Sequence, residues 1–244
     1  MIVEASDFVY KASPEIARAR RVLIKPSAAY PSPYPVTTSP EMIGKVIEGI
    51  REVSDADILI LEGTPGGGPI YPIYQALGYS FPRVLMLDVK DCIWVEVDNP
   101  LPKPFAVPTF WIPNVILSSD YLISVSTMRV INDRPEFSLM NLLSTLPSTK
   151  YGNRSAGGWD SLFNLGIDKV MADLYFTLPF DVGIIEARQR FTGKNSQLNQ
   201  GTVEDMGKVL IGEPFDIDNE ACQMLGLKPE YLDLIKVARV GFEA

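Results

Sequence analysis

Residues 56–69 read ADILILEGTPGGGP, and the fold is decided by how this stretch is read. Ala56, Ile58, Leu59, Ile60 and Leu61 are apolar, Glu62 closes the run, and four glycines follow between positions 63 and 68. A short apolar run bounded by glycines is the pattern of a strand buried on both faces of a parallel sheet. Open α/β sheets bind ligands outside the carboxyl ends of such strands, so a site is expected at the loop after Leu61. Glycines there let backbone N–H groups approach a ligand closely, and a following helix start favours an anion. The same loop has a second reading, a tight strand-to-helix turn with no ligand.

Working outward, residues 21–24 (RVLI) form another short apolar run that stops at Lys25-Pro26, since proline cannot donate to a sheet ladder. Similar runs at 83–89, 93–97, 121–126, 182–186 and 209–211 predict further strands. Between them, Ser39-Pro40 marks a helix start, and Met42, Ile43, Val46, Ile47, Ile50 and Val53 recur at helical spacing over 39–54. Helices are also expected at 14–20, 69–78, 135–146, 167–175, 216–225 and 229–238. Strands alternating with helices give an α/β fold, a mostly parallel sheet with helices on both faces. The 244 residues form a single domain, or two lobes, 1–134 and 166–244, joined by 135–165. Residues 150–160, KYGNRSAGGWD, read as a lid loop.

Composition narrows the chemistry. The chain has no histidine, which removes Ser-His-Asp and Cys-His catalysis, His-ligated metals and His proton shuttles. Its two cysteines, Cys92 and Cys222, form no CxxC pair, so no zinc ribbon, iron–sulfur cluster or haem is expected, and both read as buried reduced thiols, with a Cys92–Cys222 disulfide as the alternative. A metal would take oxygen ligands, with magnesium, manganese or calcium as the types. A net charge of −8 argues against nucleic acid as a partner. No apolar run reaches the roughly 18 residues that span a membrane, and the first residues carry no signal-peptide core, so a cytoplasmic protein is expected. Phosphate-loop and dinucleotide fingerprints are both missing.

Charged residues end successive apolar runs: Lys25, Glu62, Arg129 and Glu186. Lys25 and Arg129 suit a phosphate or carboxylate, one as a point charge and the other as a planar fork. Thr37, Thr38 and the amides of Gly66, Gly67 and Gly68 stand beside them as ligand contacts. Glu62, Glu186 and Asp218 are the candidate bases or metal ligands, and a buried ion-pair network is the alternative for the strand-end charges. Asn195 and Asn199 in the polar loop 192–201 could contact a ligand or belong to a plain surface loop, and Asp216 and Asp218 could simply cap a helix.

Taken in order, several pieces resemble the domain of unknown function 362 family over about residues 20–240: VLIKP at 22–26, PVTTSP at 35–40, LEG at 61–63, LISVS at 122–126, LMNL at 139–142, IIE at 184–186 and GEPFDID at 212–218. The resemblance implies an α/β fold, loosely similar in organisation to the lactate racemase family, and adds Asn141 to the ligand contacts. Departures are equally clear. Ser27 stands where relatives have Asn, Met128 where they have a Lys-x-His, Met140-Asn141 where they have Lys-Asn, and Glu186 where they have Asp. The ferredoxin-type cysteine clusters of many relatives are missing, as are the histidines that nickel-dependent racemase chemistry would draw on.

Two functions follow from these readings. In the first, the chain binds or acts on a small anionic metabolite at the strand-end loops. In the second, it is a non-catalytic binding or assembly protein, a partner of a redox complex, that forms homo- or hetero-oligomers through the proline- and aromatic-rich segment 100–113 with Phe105, Phe110 and Trp111.

Overall fold

Nothing in a strand such as residues 58–61 faces water: Ile58, Leu59, Ile60 and Leu61 are all buried in the computed structural model, which describes residues 1–152, 158–194, 198 and 200–242. The strands are β1 (Ile2–Glu4), β2 (Arg21–Pro26), β3 (Asp57–Glu62), β4 (Val84–Asp88), β5 (Trp94–Asp98), β6 (Thr109–Pro113), β7 (Tyr121–Ile131), β8 (Arg134–Pro135), β9 (Val182–Gly193) and β10 (Gly201–Gly212). The helices are α1 (Pro40–Arg51), α2 (Tyr71–Ala76), α3 (Asn114–Leu117), α4 (Ser148–Tyr151), α5 (Asp160–Asn164), α6 (Ile167–Thr177), α7 (Pro214–Leu225) and α8 (Glu230–Phe242).

One mixed sheet of eight strands runs β1-β10-β9-β7-β2-β3-β4, with β8 paired to β7. Its centre, β9-β7-β2-β3-β4, is parallel throughout. The pairs β9/β10 and β10/β1 are antiparallel. The apolar runs thus come together as expected of an α/β fold. Alternate residues of β2 belong to two separate cores. Val22 and Ile24 share a cluster with Met42, Ile43, Val46 and Ile50 of α1, whereas Leu23 clusters with α6, α7 and α8 residues such as Val170, Ala221 and Ile235.

Ser39 starts α1 as its sequence context requires. Its hydroxyl accepts from the Met42 N–H at 3.0 Å and donates to Glu186 Oε1 at 2.7 Å. Replacing Ser39 with alanine removes both bonds and the one that Arg188 Nη2 donates to the same oxygen at 3.1 Å, and the expected loss is about 1–2 kcal/mol. Urea unfolding checks this; a loss under about 0.5 kcal/mol would mean the cap is dispensable.

Several expected elements differ from the observed ones. The helix expected at 135–146 is a two-residue strand, β8, followed by a 3-10 helix at Met140–Thr145. All six residues of that 3-10 turn are buried, so the segment has no polar face on which an amphipathic α-helix could rest. The helix at 14–20 is a 3-10 turn at Ile16–Arg18. The strand at 93–97 is β5, which leaves the main sheet and pairs with β6 from the unassigned 100–113 segment. Phe110 of that segment is fully buried in the chain's own core, so it cannot serve as an interface residue. Helix α7 begins at Pro214 and is capped by Glu213, whose carboxylate accepts from the Asp216 N–H, so neither Asp216 nor Asp218 is the cap. No helix among the described residues is long and apolar enough to cross a membrane.

Candidate functional site

The parallel strands β2 and β3 end side by side in Lys25-Pro26 and Glu62, and both charged side chains are fully buried. A lysine is found in that condition only when paired. Lys25 Nζ lies 2.9 Å from both carboxylate oxygens of Glu62. It also donates to the Pro26 carbonyl at 2.7 Å and to Asn141 Oδ1 at 3.0 Å, so its three N–H donors are all committed. Burial pushes the Lys25 pKa down, and the neighbouring Glu62 charge opposes that shift. Glu62 accepts further from the backbone N–H groups of Ala28 (2.7 Å) and Gly63 (2.9 Å).

The 3-10 turn at Met140–Thr145 is fastened to this pair. Asn141 Nδ2 donates to the Lys25 carbonyl at 2.9 Å and to Ser124 Oγ at 3.1 Å, bridging β2 and β7. Close approach on the other side depends on Gly63: a Cβ there would stand 2.7 Å from the Ser144 carbonyl oxygen.

In front of the pair opens a cavity of about 450 Å³. Glu62, Asn141, Ser27 and Tyr30 line it near the strand ends, and Arg129, Glu136, Gly66, Met140, Leu143, Trp159 and Phe163 line the remainder. Arg129 is set by β7, which continues past the apolar run to Ile131. Its Nε and Nη2 lie 2.7 Å from Glu136 Oε2, and its Nη1 donates to the Val36 carbonyl at 2.6 Å. The guanidinium stands 5.8 Å from the Tyr30 ring centroid. Burial pushes the Tyr30 phenol up.

Of the expected site residues, the structure brings Lys25, Glu62, Arg129, Asn141 and Gly66 to this one place. The others lie elsewhere. Gly67 and Gly68 border a separate recess with Thr149 and Lys90 that is too small for an organic ligand. Thr37 donates to the Ser32 carbonyl at 2.5 Å, and Thr38 donates to the Val125 carbonyl at 2.7 Å while accepting from the Ser27 N–H, so both hold the 27–38 loop. Glu186 accepts from the Ser39 N–H and hydroxyl and pairs with Arg188; burial pushes its pKa up. Asp218 is fully buried away from the cavity. It accepts from the N–H groups of Ser138 (2.9 Å) and Leu139 (3.1 Å), from Ser138 Oγ (2.6 Å) and from Tyr231 Oη (3.1 Å), and burial pushes its pKa up to about 6. Among the described residues Glu62, Glu186 and Asp218 do not gather, and no three His, Cys, Asp or Glu side chains form a metal-binding group. Cys92 and Cys222 are free thiols, and burial pushes them up to about 11 and about 12. Asn195 and Asn199 lie outside the described residues, as do 153–157 of the expected lid. Of that lid, Gly158, Trp159 and Asp160 do line the cavity.

Tyr30, Glu136, Trp159 and Phe163 are cavity residues that the strand-end argument does not reach. Trp159 had a signal, as the aromatic residue closing a glycine-bearing loop; Glu136 had none.

A family model described as Domain of unknown function (DUF362) matches residues 22–223. The chain belongs to this family. The matched span runs from the start of β2 into α7 and so contains every DUF362 residue of the strand-end cluster. No curated protein matches the DUF362 chain in sequence. Among solved structures it is similar to the lactate racemase apoprotein from Thermoanaerobacterium thermosaccharolyticum, with a TM-score of 0.55 at 13% identity. That match covers 90% of this chain and 53% of the other, so the chain spans about half the length of the protein it resembles. At this identity the likeness concerns the α/β fold.

Proposed function

We propose that this DUF362 chain binds a small organic anion in the cavity at the carboxyl ends of β2 and β3, with Arg129 holding the charge. The observation that carries this reading is the state of the Arg129 guanidinium. It lines the cavity, and its contacts with Glu136 and Val36 use three of its five N–H groups, leaving two uncommitted among the described residues. Position agrees, because parallel α/β sheets bind ligands at this edge. Helices on both faces of the sheet complete the architecture in this reading, supported by the division of β2 side chains between two helix-bearing cores. Binding rather than turnover is the role the neighbouring groups favour: Lys25 has no free N–H, and the Glu62 carboxylate accepts from Lys25 and from two amides.

A thermal-shift panel of carboxylates and phosphates tests the reading. A ligand at 100 times its dissociation constant should stabilise the protein by about 2.7 kcal/mol. Exchanging Arg129 for lysine keeps the charge and loses the planar fork, so affinity for the hit should fall roughly 10- to 100-fold. An unchanged dissociation constant in Arg129→Lys, with a native circular dichroism spectrum, would sink the assignment.

A further inference from the structure

We infer that the ligand is a monocarboxylic acid with an aromatic body, its carboxylate on Arg129 and its ring against Trp159 and Phe163. This rests on the reading that Arg129 holds an anion, and it deepens that reading from the make-up of the cavity walls.

Polar groups reach the cavity from the strand ends and the segments beside them, as with Tyr30, Glu62 and Arg129, from the 3-10 turn, as with Asn141 and Ser144, and from α5, as with Asp160. The large apolar lining residues come from two overlying elements, Met140 and Leu143 on the 3-10 turn, and Trp159 and Phe163 at α5. The Trp159 indole N–H already donates to the Leu146 carbonyl at 2.9 Å, so what Trp159 offers a ligand is its ring. Phe163, which also lines the cavity, is 44% exposed, with the Arg134 guanidinium 5.7 Å from its ring centroid. A hydrated anion on Arg129 alone would leave these apolar faces against water, whereas a ligand with an apolar body covers them. Size points the same way, because about 450 Å³ falls within the range of cavities that enclose whole organic molecules and far exceeds an acetate ion.

Charge selects the acid. Three carboxylates line the cavity: Glu62 is matched by Lys25, Glu136 by Arg129, and Asp160 has no ion pair among the described residues. Before any ligand enters, these three carboxylates with Lys25 and Arg129 carry one net negative charge, and Arg134, the cation over the Phe163 ring, does not line the cavity. A dianion such as phosphate meets added repulsion, while a single carboxylate reaching the two uncommitted N–H groups of Arg129 meets the least.

Calorimetric titration of the full chain with acetate, 3-phenylpropionate, 3-phenylpropanol and inorganic phosphate tests the inference. Phenylpropionate should bind roughly thirtyfold more tightly than acetate, the gain expected for covering a phenyl group. It should also bind more tightly than the uncharged alcohol and than phosphate. Because Phe163 is half-exposed, Phe163→Ala should fold, and it should weaken phenylpropionate about tenfold more than acetate. Equal affinity for acetate and phenylpropionate overturns the aromatic class and leaves the anion reading standing. Phosphate binding more tightly than both acids also overturns the class. The alcohol matching the acid overturns the carboxylate assignment, and binding of none of the four overturns the anion reading together with this one.

Discussion

Replacing Lys25 with methionine is expected to lower stability by about 3–5 kcal/mol, because it strands the Glu62 carboxylate in the interior. Both partners are fully buried, and the remaining donors to Glu62, the Ala28 and Gly63 amides, carry no full charge. The loss extends beyond the pair, since Lys25 also holds Asn141, and Asn141 holds the 3-10 turn against β2 and β7. In a chain of 244 residues such a change corresponds to a melting temperature lower by roughly 10 °C. Adding Glu62→Gln removes the stranded charge and should recover part of the loss. Recovery is incomplete because a Gln amide NH2 would face the N–H of Ala28 or Gly63 where an oxygen stood. Urea unfolding of the two single variants and the double variant gives the coupling between the residues. A Lys25→Met protein within about 1 kcal/mol of wild type would mean the ion pair is not what holds the cavity floor.

The second large effect is a pH dependence located at Asp218. Its folded pKa of about 6 lies above the ordinary aspartate value of 3.8. Between those values the folded protein binds a proton that the unfolded chain releases, so the contribution to stability is complete below about pH 4 and is lost as pH rises through 6. Over that window the wild type loses on the order of 3 kcal/mol from this residue. The protonated form has somewhere to send its hydrogen, because Ser138 Oγ can turn to the Pro214 carbonyl at 3.2 Å and accept. Asp218→Asn abolishes the titration, although its amide group loses one acceptor for the Leu139 or Ser138 N–H. The stability advantage of wild type over Asp218→Asn should therefore shrink from pH 4 to pH 7, and urea melts at four or five pH values would measure it. A constant difference between the two proteins across that range would show that Asp218 does not titrate there.

What the sequence reveals and what it hides divide along a physical line. The runs ending at Lys25 and Glu62 are legible because a short, wholly apolar segment next to proline or glycine has few structural solutions. The far halves of β9 and β10 are not. Residues 201–205 are exposed, and their pairing rests on backbone bonds and cross-strand ion pairs such as Arg190 with Glu204. Such strands leave no apolar signature. The cavity divides in the same way. Lys25, Glu62 and Arg129 stand at or beyond the ends of legible runs, but which partner a strand-end charge meets depends on packing, and so Glu186 faces Ser39 and Arg188 instead. Tyr30, Glu136, Trp159 and Phe163 reach the cavity from connecting segments whose path follows from how the 3-10 turn and α5 settle on the sheet.

Trp159 gives the chain an optical consequence. Of its three tryptophans, Trp94 donates its indole N–H to the Val89 carbonyl and Trp111 lies under Lys150, and neither lines the cavity. Trp159 does, with its N–H held by Leu146 and its ring on the wall. Its fluorescence depends on whether water or ligand lies against that ring. Occupancy is thus expected to change the emission of one residue while the other two supply a constant background, so the unlabelled protein can report its own filling.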